Sequence, residues 1–351
     1  MGWGGQEIRI VRESTGMIRR GHHVIIAAPE QSTIAKKARE TGIDFLPAFF
    51  NKKNPLAVVK MLSLLGKARP DIVNTHSSSD SWVATIASRL SRTRPRIIRT
   101  RHLSTPISTS YLSRLIYDIL PDAVMTTGEE IRHKMISDNR FSASKIFSVP
   151  TGVDLERFDP EKTAPAFRPG GFSIGMVGVL RSWKGHNFFI EAAPEILEHI
   201  PDAVFYIAGD GPQLENIKGL IRDRSLESRV LLLGHREDIP EVMASLDIIV
   251  HPSYGHEGVP QTLLQALAMK RPVVASDTGA IKEIVIDNKT GFLIEPGNPE
   301  QIAGKVTELY RHPELRARFG EAGRKLVEGD YSFENMLGKI ELLYAKLFNN
   351  A

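Results

Sequence analysis

The sequence predicts an α/β protein made of two doubly wound parallel-sheet domains. Three observations carry that expectation. Strand-length apolar runs alternate with helical patterns along nearly the whole chain, as in a parallel sheet covered on both faces. The alternation breaks once, over Val149-Pro150-Thr151-Gly152-Val153-Asp154 and the Pro/Gly-rich Pro165 to Gly171, and then restarts. The chain has 351 residues, enough for two domains of ordinary size. The domains are set at residues 1–160 and 161–334, and the final helix, about 335–351, is expected to pack back on the first.

In the first domain the glycine turn at Gly4 and Gly5 leads directly into a helical pattern, Ile8 to Arg20. Strands are expected at His23–Ala28, Asp44–Leu46, Asp71–Thr75, Ile97–Arg101, Ala123–Thr126 and Ile146–Val149. Helices fall between them at Gln31–Thr41, Pro55–Ala68, Ser79–Ser91, Leu112–Leu120 and Glu129–Ser137. The strand that normally runs into such a glycine turn is missing, since the chain starts at the turn. That strand is usually central, so without it its two neighbours would leave backbone groups unpaired. The expectation is a reading frame that begins about ten residues upstream, one strand plus a lead-in.

In the second domain strands are expected at Ser173–Val177, Ala203–Ala208, Val230–Leu233, Ile248–Val250, Val273–Ala275 and Phe292–Ile294. The helices between them are Asn187–His199, Pro212–Arg224, Ile239–Ser245, Pro260–Met269 and Ala280–Asp287. Pro299–Tyr310, Pro313–Glu328 and Phe333–Phe348 close the chain as helices.

Composition excludes several classes. There is no Cys, hence no disulfide, thiolate metal site or Cys nucleophile. No apolar run approaches the roughly 20 residues that span a bilayer, and Met1 to Arg12 lacks the apolar core of a signal peptide. The expected location is cytoplasmic. No HExxH, GxSxG or GxxxxGK[ST] occurs, which argues against a metalloprotease, an α/β-hydrolase and a P-loop NTPase. Asp-x-Asp is absent too, and no metal is expected. Residues 1–160 hold 24 Lys/Arg and 15 Asp/Glu, net +9, and the rest of the chain is net −5. A basic front half suits an anionic partner. No nucleic-acid motif accompanies it, so a nucleic acid is not the expected partner. The densest cluster is Arg92, Arg94, Arg96, Arg99 and Arg101.

The candidate site lies where expected strands end. Ile248–Val250 is followed by a Gly-rich turn with an acid, Ser253 to Pro260, and then by a helix with Leu263, Leu264 and Leu267 at helical spacing. A helix start presents unpaired N–H groups and partial positive charge, which suits a phosphate. Glu257 stands where it can reach a polar ligand beside that phosphate, and Pro260 suits the first helical turn. Gln265 lies one turn beyond Gln261 on the same face. After the first strand of this domain comes Gly178 to Gly185, with Arg181 and Lys184 suited to a diphosphate. Asp210, in Gly209-Asp210-Gly211-Pro212, either caps the next helix or contacts ligand. His235 and Arg236 either flank a base or form a plain turn. In the first domain Gly4 and Gly5 allow close approach of amides to a phosphate, or simply make a turn. His76 and His102 each follow a strand. His102 stands in the basic cluster, which disfavours its protonated form.

Taken together these pieces resemble the family 4 retaining glycosyltransferases of GT-B fold: GGQE at 4–7, TGVDLERF at 151–158, GVLRSWKG at 178–185, GDGP at 209–212, EGVPQTLLQ at 257–265 and SDTGAIKEIV at 276–285. The resemblance implies two Rossmann-like domains facing a cleft. It implies transfer of a sugar from a nucleotide-diphosphate donor, with retention and no bound metal or other cofactor, to a glycan or lipid-linked acceptor in cell-envelope or lipopolysaccharide synthesis. It implies that Gly4 and Gly5 approach the diphosphate, and that His102 contacts the donor sugar. Arg181 and Lys184 would neutralise the leaving group, while Glu257 holds sugar hydroxyls and the amides of Gly258 and Val259, before Pro260, meet phosphate. Gly178, Asp210, His235 and Arg236 complete the donor-binding set. Gln265 stands where the family has its second acid on the ribose, and an amide still bonds hydroxyls. The basic first domain would face an anionic acceptor or an anionic membrane, by peripheral association. The alternatives are a non-catalytic nucleotide-sugar binder and a nucleotide-sugar epimerase on the same fold.

Overall fold

The computed structural model describes residues 4–51, 54–102, 105–168, 170–255 and 257–349. It divides into two units, residues 1–151 with 336–351, and residues 152–335.

The first unit opens with α1 (Gly5–Arg19), then β1 (Ile25–Ala28), α2 (Thr33–Glu40), β2 (Asp44–Pro47), α3 (Pro55–Ala68), β3 (Ile72–Thr75), α4 (Ser78–Leu90) and β4 (Arg96–Arg101). It continues with α5 (Tyr111–Arg114), β5 (Ala123–Thr126), α6 (Glu129–Ser137) and β6 (Ile146–Ser148). The helix expected over Leu112–Leu120 splits, α5 passing into a π-helical turn at Leu115–Ile119. All strand pairs are parallel, but they form two sheets: β1 with β2, and β3-β4-β5-β6 in that order. β4 and β5 are the inner strands of the larger sheet, and Ile97, Ile98 and Val124 are fully buried. β3 pairs only with β4 among the described residues, and Ile72, Val73 and Asn74 stay half-buried.

Polar ties anchor α1. Arg9 is 1% exposed; it donates to Val149 O at 2.8 Å and Thr151 Oγ1 at 3.0 Å, and pairs with Glu13 at 3.4 Å. At the other end of α1, Arg20 meets Glu341 of the last helix, α13 (Phe333–Asn349), at 2.6 Å. Lys346 of α13 lies over Phe147 at 4.6 Å.

The second unit contains β7 (Ser173–Val177), α7 (His186–His199), β8 (Val204–Ala208), α8 (Leu214–Asp223), β9 (Val230–Gly234), α9 (Ile239–Ala244), β10 (Ile248–His251), α10 (Gln261–Ala268), β11 (Val273–Ser276) and β12 (Gly291–Ile294). α11 (Pro299–Arg311) and α12 (Pro313–Asp330) follow. One parallel sheet runs β12-β11-β10-β7-β8-β9. Successive connections run outward on either side of β7 and β10, which makes that pair the switch point where open α/β sheets bind ligands. Apolar clusters cover both faces, Phe189, Phe205 and Phe292 on one and Leu263, Leu267 and Ile281 on the other.

Two expectations are corrected. Residues 152–160 pack with the second unit: Val153 and Phe158 join its core, and Val153 bridges Ser332. No α-helix forms at Ala280–Asp287. The segment makes one 3-10 stretch, Gly279–Glu283, and then turns at Asn288, whose φ is +58°. Its β-branched residues Ile281, Ile284, Val285 and Ile286 do not favour helix. Among the described residues no helix is long and apolar enough to cross a membrane.

Candidate functional site

In the second unit the loops after β7, β8, β10 and β11 lie at the carboxyl edge of the sheet. Each is built around a backbone requirement. After β7 the chain makes a short 3-10 turn, Ser182–Lys184, and reverses at Gly185, whose φ is +78°. A Cβ there would sit 2.0 Å from Pro252 O, so only glycine lets the β7 and β10 loops touch. The β10 loop is then tied to its neighbours. Ser253 Oγ lies 2.8 Å from Trp183 O, Tyr254 N donates to Trp183 O at 2.9 Å, and Thr278 Oγ1 donates to Gly255 O at 3.0 Å. Gly279, with φ +57°, lets Ala280 N reach Glu257 O at 3.1 Å.

This frame brings Lys184 and Glu257 together. Lys184 Nζ is 2.6 Å from Glu257 Oε1, and both side chains are mostly buried. Ser253 Oγ lies 2.8 Å from the same oxygen, and His251 Nε2 3.8 Å from it. Burial alone would raise the Glu257 pKa; His251 and Lys184 outweigh it and hold the carboxyl well below its usual range. His186, at the start of α7, is buried and neutral. Burial first, then His251 and Lys184, lower its pKa to about 4. His251, Ser253 and His186 were not singled out from the sequence. Their signal was position alone: His251 directly follows an expected strand, Ser253 opens the expected Gly-rich turn, and His186 directly follows the Gly178 to Gly185 loop.

The other second-unit residues are placed as follows. Arg181 is exposed, with its guanidinium 5.1 Å from the centre of the Trp183 ring. Gly178 extends β7, its N–H donating to Ala208 O at 2.9 Å. Asp210 does not cap α8. The Gly211-Pro212 turn delays the helix to Leu214, and the Asp210 carboxylate instead accepts from Gly211 N at 2.7 Å. His235 is exposed, whereas Arg236 is clasped by Asp238, with Nε 2.7 Å from Oδ1. Pro260 is the N-cap of α10 rather than its first residue. The amides of Gln261, Thr262 and Leu263 precede the first in-helix bond, from Leu264 N to Pro260 O. Val259 is buried, Gly258 half-buried, and Gln265 half-buried on α10.

In the first unit Gly4 is the N-cap of α1, and its N–H donates to Glu7 Oε2 at 3.0 Å, so a carboxylate already occupies that amide. A Cβ on Gly5 would meet nothing within 4 Å. His76 and His102 follow the adjacent strands β3 and β4. Their rings meet edge to edge with centroids 5.3 Å apart and planes 28° apart, and His76 Nδ1 is 3.1 Å from His102 Nε2. Burial and the nearby Arg9 charge lower the His76 pKa to about 3. Burial, His76 and Arg9 put His102 well below its ordinary value. The arginine cluster is not one basic face. Arg99 is buried with its guanidinium 3.5 Å from the Tyr117 ring centre, Arg101 bonds Tyr117 OH at 2.8 Å, and Arg96 pairs with Asp122 at 3.6 Å. Arg92 and Arg94 are exposed.

Residues 158–326 match the family described as Glycosyl transferases group 1, and residues 3–157 match Glycosyltransferase Family 4. The chain is 31% identical over 316 residues to UDP-Gal:alpha-D-GlcNAc-diphosphoundecaprenol alpha-1,3-galactosyltransferase of Escherichia coli, covering 85% of this chain and 81% of that one. It is 27% identical to a GDP-mannose-dependent alpha-(1-6)-phosphatidylinositol monomannoside mannosyltransferase of Mycolicibacterium smegmatis, covering 86% and 77%. Among solved structures, a glycosyltransferase from Rickettsia africae ESF-5 superposes with TM-score 0.89 at 25% identity, over 99% of this chain and 96% of that one. Anabaena Alr3699/HepE in complex with UDP gives 0.87 at 18% identity, over 98% and 96%, a likeness of fold. Two parallel-sheet Rossmann-like units, the two family matches and these relatives agree: the chain belongs to the family 4 glycosyltransferases, of GT-B fold.

Proposed function

We propose that the protein is a retaining, metal-independent transferase. It moves a sugar from a nucleotide-diphosphate donor to a glycan or lipid-linked acceptor of the cell envelope, at the cytoplasmic face of the membrane. The observation that carries this reading is the 2.6 Å pair between Lys184 and Glu257 beside the open start of α10. With donor bound, the diphosphate takes Lys184 from Glu257 and lies against the α10 amides, after Gly258 and Val259. Glu257, already ionised, then accepts hydrogen bonds from sugar hydroxyls. Leaving of the nucleotide builds negative charge on the diphosphate and positive charge on the ring. Lys184, Arg181 and the amide dipoles are fixed charges that favour that state. Gln265 serves the ribose, and His102 of the first unit the donor sugar. The acceptor attacks from the leaving-group face, and the departing phosphate takes its proton. The missing Asp-x-Asp supports the metal-free form. The names of the relatives support an envelope acceptor, which for the Escherichia coli enzyme is a diphosphoundecaprenol-linked GlcNAc.

The test is release of UDP or GDP from UDP-galactose, UDP-N-acetylglucosamine and GDP-mannose, with a short-chain lipid-diphosphate-linked GlcNAc as acceptor. Lys184→Ala and Glu257→Gln should each lower kcat/KM by about 10²–10³-fold. NMR of the product reads the anomeric configuration. Full activity in Lys184→Ala refutes the leaving-group role. An inverted product refutes retention, and a chelator that abolishes turnover refutes metal independence. Nucleotide binding without transfer or hydrolysis would leave a non-catalytic binder.

A further inference from the structure

The His76–His102 pair carries an inference about how the first unit acts. The inference rests on the proposed role of His102 toward the donor sugar. Two imidazoles meet nitrogen to nitrogen at 3.1 Å, Nδ1 of His76 and Nε2 of His102. A contact of that length needs one N–H between two nitrogens, so one ring donates and the other accepts. Two N–H groups would oppose each other only if both rings were imidazolium, so the contact holds at most one positive charge. The rings meet edge to edge, with an interplanar angle of 28°, and an in-plane N–H bond of this kind also restrains the plane of the His102 ring. The surroundings suit a neutral pair: Arg9 of α1 adds positive charge, and Asp80 of α4 is engaged by the amides of His76 and Ser77. The His102 carbonyl accepts from Thr127 Oγ1 at 3.3 Å, which holds the backbone beneath the ring.

We propose that His76 is a positioning residue for His102: it occupies Nε2, fixes the ring plane, and leaves Nδ1 as the single His102 nitrogen that can meet the donor sugar. The two outward nitrogens are then complementary. When His102 Nδ1 carries hydrogen, His76 Nε2 is bare, and the reverse holds for the other tautomer. A sugar hydroxyl bound at Nδ1 selects one of the two states.

The experiment compares His76→Phe, His76→Asn, His102→Ala and the double variant His76→Phe/His102→Ala. Phe keeps the ring without a nitrogen. Asn places an amide atom at the same bond distance as Nδ1. His76→Phe should lower kcat on the best donor of the panel by about 10-fold or more, the scale seen when an imidazole loses its orienting partner. UDP and GDP dissociation constants should stay within about two-fold, because nucleotide binding does not use the pair. His76→Asn should recover most of the loss, and the double variant should be no worse than His102→Ala. Removing His76 also removes one of the causes that keep His102 neutral, so His76→Phe should gain an acid limb in its pH–rate profile. Long-range ¹H–¹⁵N spectra of histidine-labelled protein give a readout free of activity: with the donor sugar bound, His102 should hold one tautomer in the wild type and average between two in His76→Phe. If His102→Ala is fully active, the role of His102 toward the sugar is wrong. If His102→Ala is impaired while His76→Phe matches wild type, or if the His102 nitrogens average in the wild type with the donor sugar bound, the positioning role is wrong.

Discussion

β7 of the second unit has β10 on one side and β8 on the other, and all five of its residues are buried. β1 and β3 of the first unit each have one strand partner among the described residues, and both show half-buried or exposed positions. The two units share one alternation of strands and helices, yet they hold their elements differently. The second unit uses a continuous sheet with apolar clusters on both faces. The first uses smaller clusters and ties α1 through a buried guanidinium and through Glu341 of α13. An apolar frame tolerates the loss of one contact gradually. A buried charge does not, because its partners are left desolvated when it goes.

Arg9→Ala is the largest expected break in that comparison. It strands the Glu13 carboxylate and two acceptors, and should cost the first unit about 3–5 kcal/mol. Calorimetry should show an early transition for the first unit with the second unchanged. Replacing both partners, Arg9→Met with Glu13→Leu, should recover most of the loss. A single unshifted transition in Arg9→Ala would show that the pair does not anchor α1.

In the second unit the sensitive point is backbone, not charge. A Cβ at Gly279 would lie 2.1 Å from Glu257 O, at a φ of +57°. Gly279→Ala should cost about 1–3 kcal/mol of stability. It should also lower transfer more than it lowers Tm would explain, because it moves the Glu257 loop. Gly304→Ala, on α11 with nothing within 4 Å of its added Cβ, should instead stabilise by about 0.5–1 kcal/mol. Equal effects at the two glycines would refute this account.

Acid should separate the units next. A buried neutral imidazole whose folded pKa is lowered binds fewer protons folded than unfolded, so stability falls as pH drops through the unfolded value of about 6.5. Each such group should cost about 1 kcal/mol between pH 7.5 and 5.5. His186 and His251 contribute this to the second unit. His76 and His102 contribute it to the first. In the first unit, though, burial raises the pKa of Glu13 and Asp80. A raised carboxyl gives stability that is present at low pH and lost as pH rises through its folded pKa, so these two oppose the histidines below that pKa. The second unit should therefore soften more as acidification continues toward the carboxylate range, by urea melts over a pH series. The Glu257 contribution stays in place above that range and is lost only as pH falls below its unfolded value of about 4.3.

Much of this was legible in the sequence, for local reasons. Pro55–Ala68, Ala123–Thr126, Glu129–Ser137 and Ser173–Val177 end where their periodicity ends. The site loops were found because short loops after strands sit at one sheet edge. Pairings across strands were not legible. That His76 bonds His102 depends on β3 lying beside β4, and that Arg99 covers Tyr117 depends on how the turn at Leu115–Ile119 folds back. A run of arginines reads as surface charge in one dimension, and only packing shows that three of the five have partners inside the fold. Ser253 and His251 were missed for the same reason, since their value lies in facing Glu257 and Lys184 from a neighbouring loop.

The smallest expected effect concerns the strand edges themselves. In a parallel sheet, successive N–H groups of one strand point alternately to its two neighbours. β7 has both neighbours, so its amides should exchange only on opening of the whole second unit. β3 has β4 alone among the described residues, so about half of its amides lack a ladder partner. Native-state hydrogen exchange should find alternate amides of Ile72–Thr75, and likewise of Ile25–Ala28, exchanging with little protection, while Ser173–Val177 stay near the global limit. The alternation is the decisive feature. General fraying would loosen every amide of β3 together, whereas an uncovered edge loosens every second one. Uniform protection of β1 and β3, equal to that of β7, would mean that something pairs with those edges in solution, and the contrast between the units would then lie in the clusters and the Arg9 anchor alone.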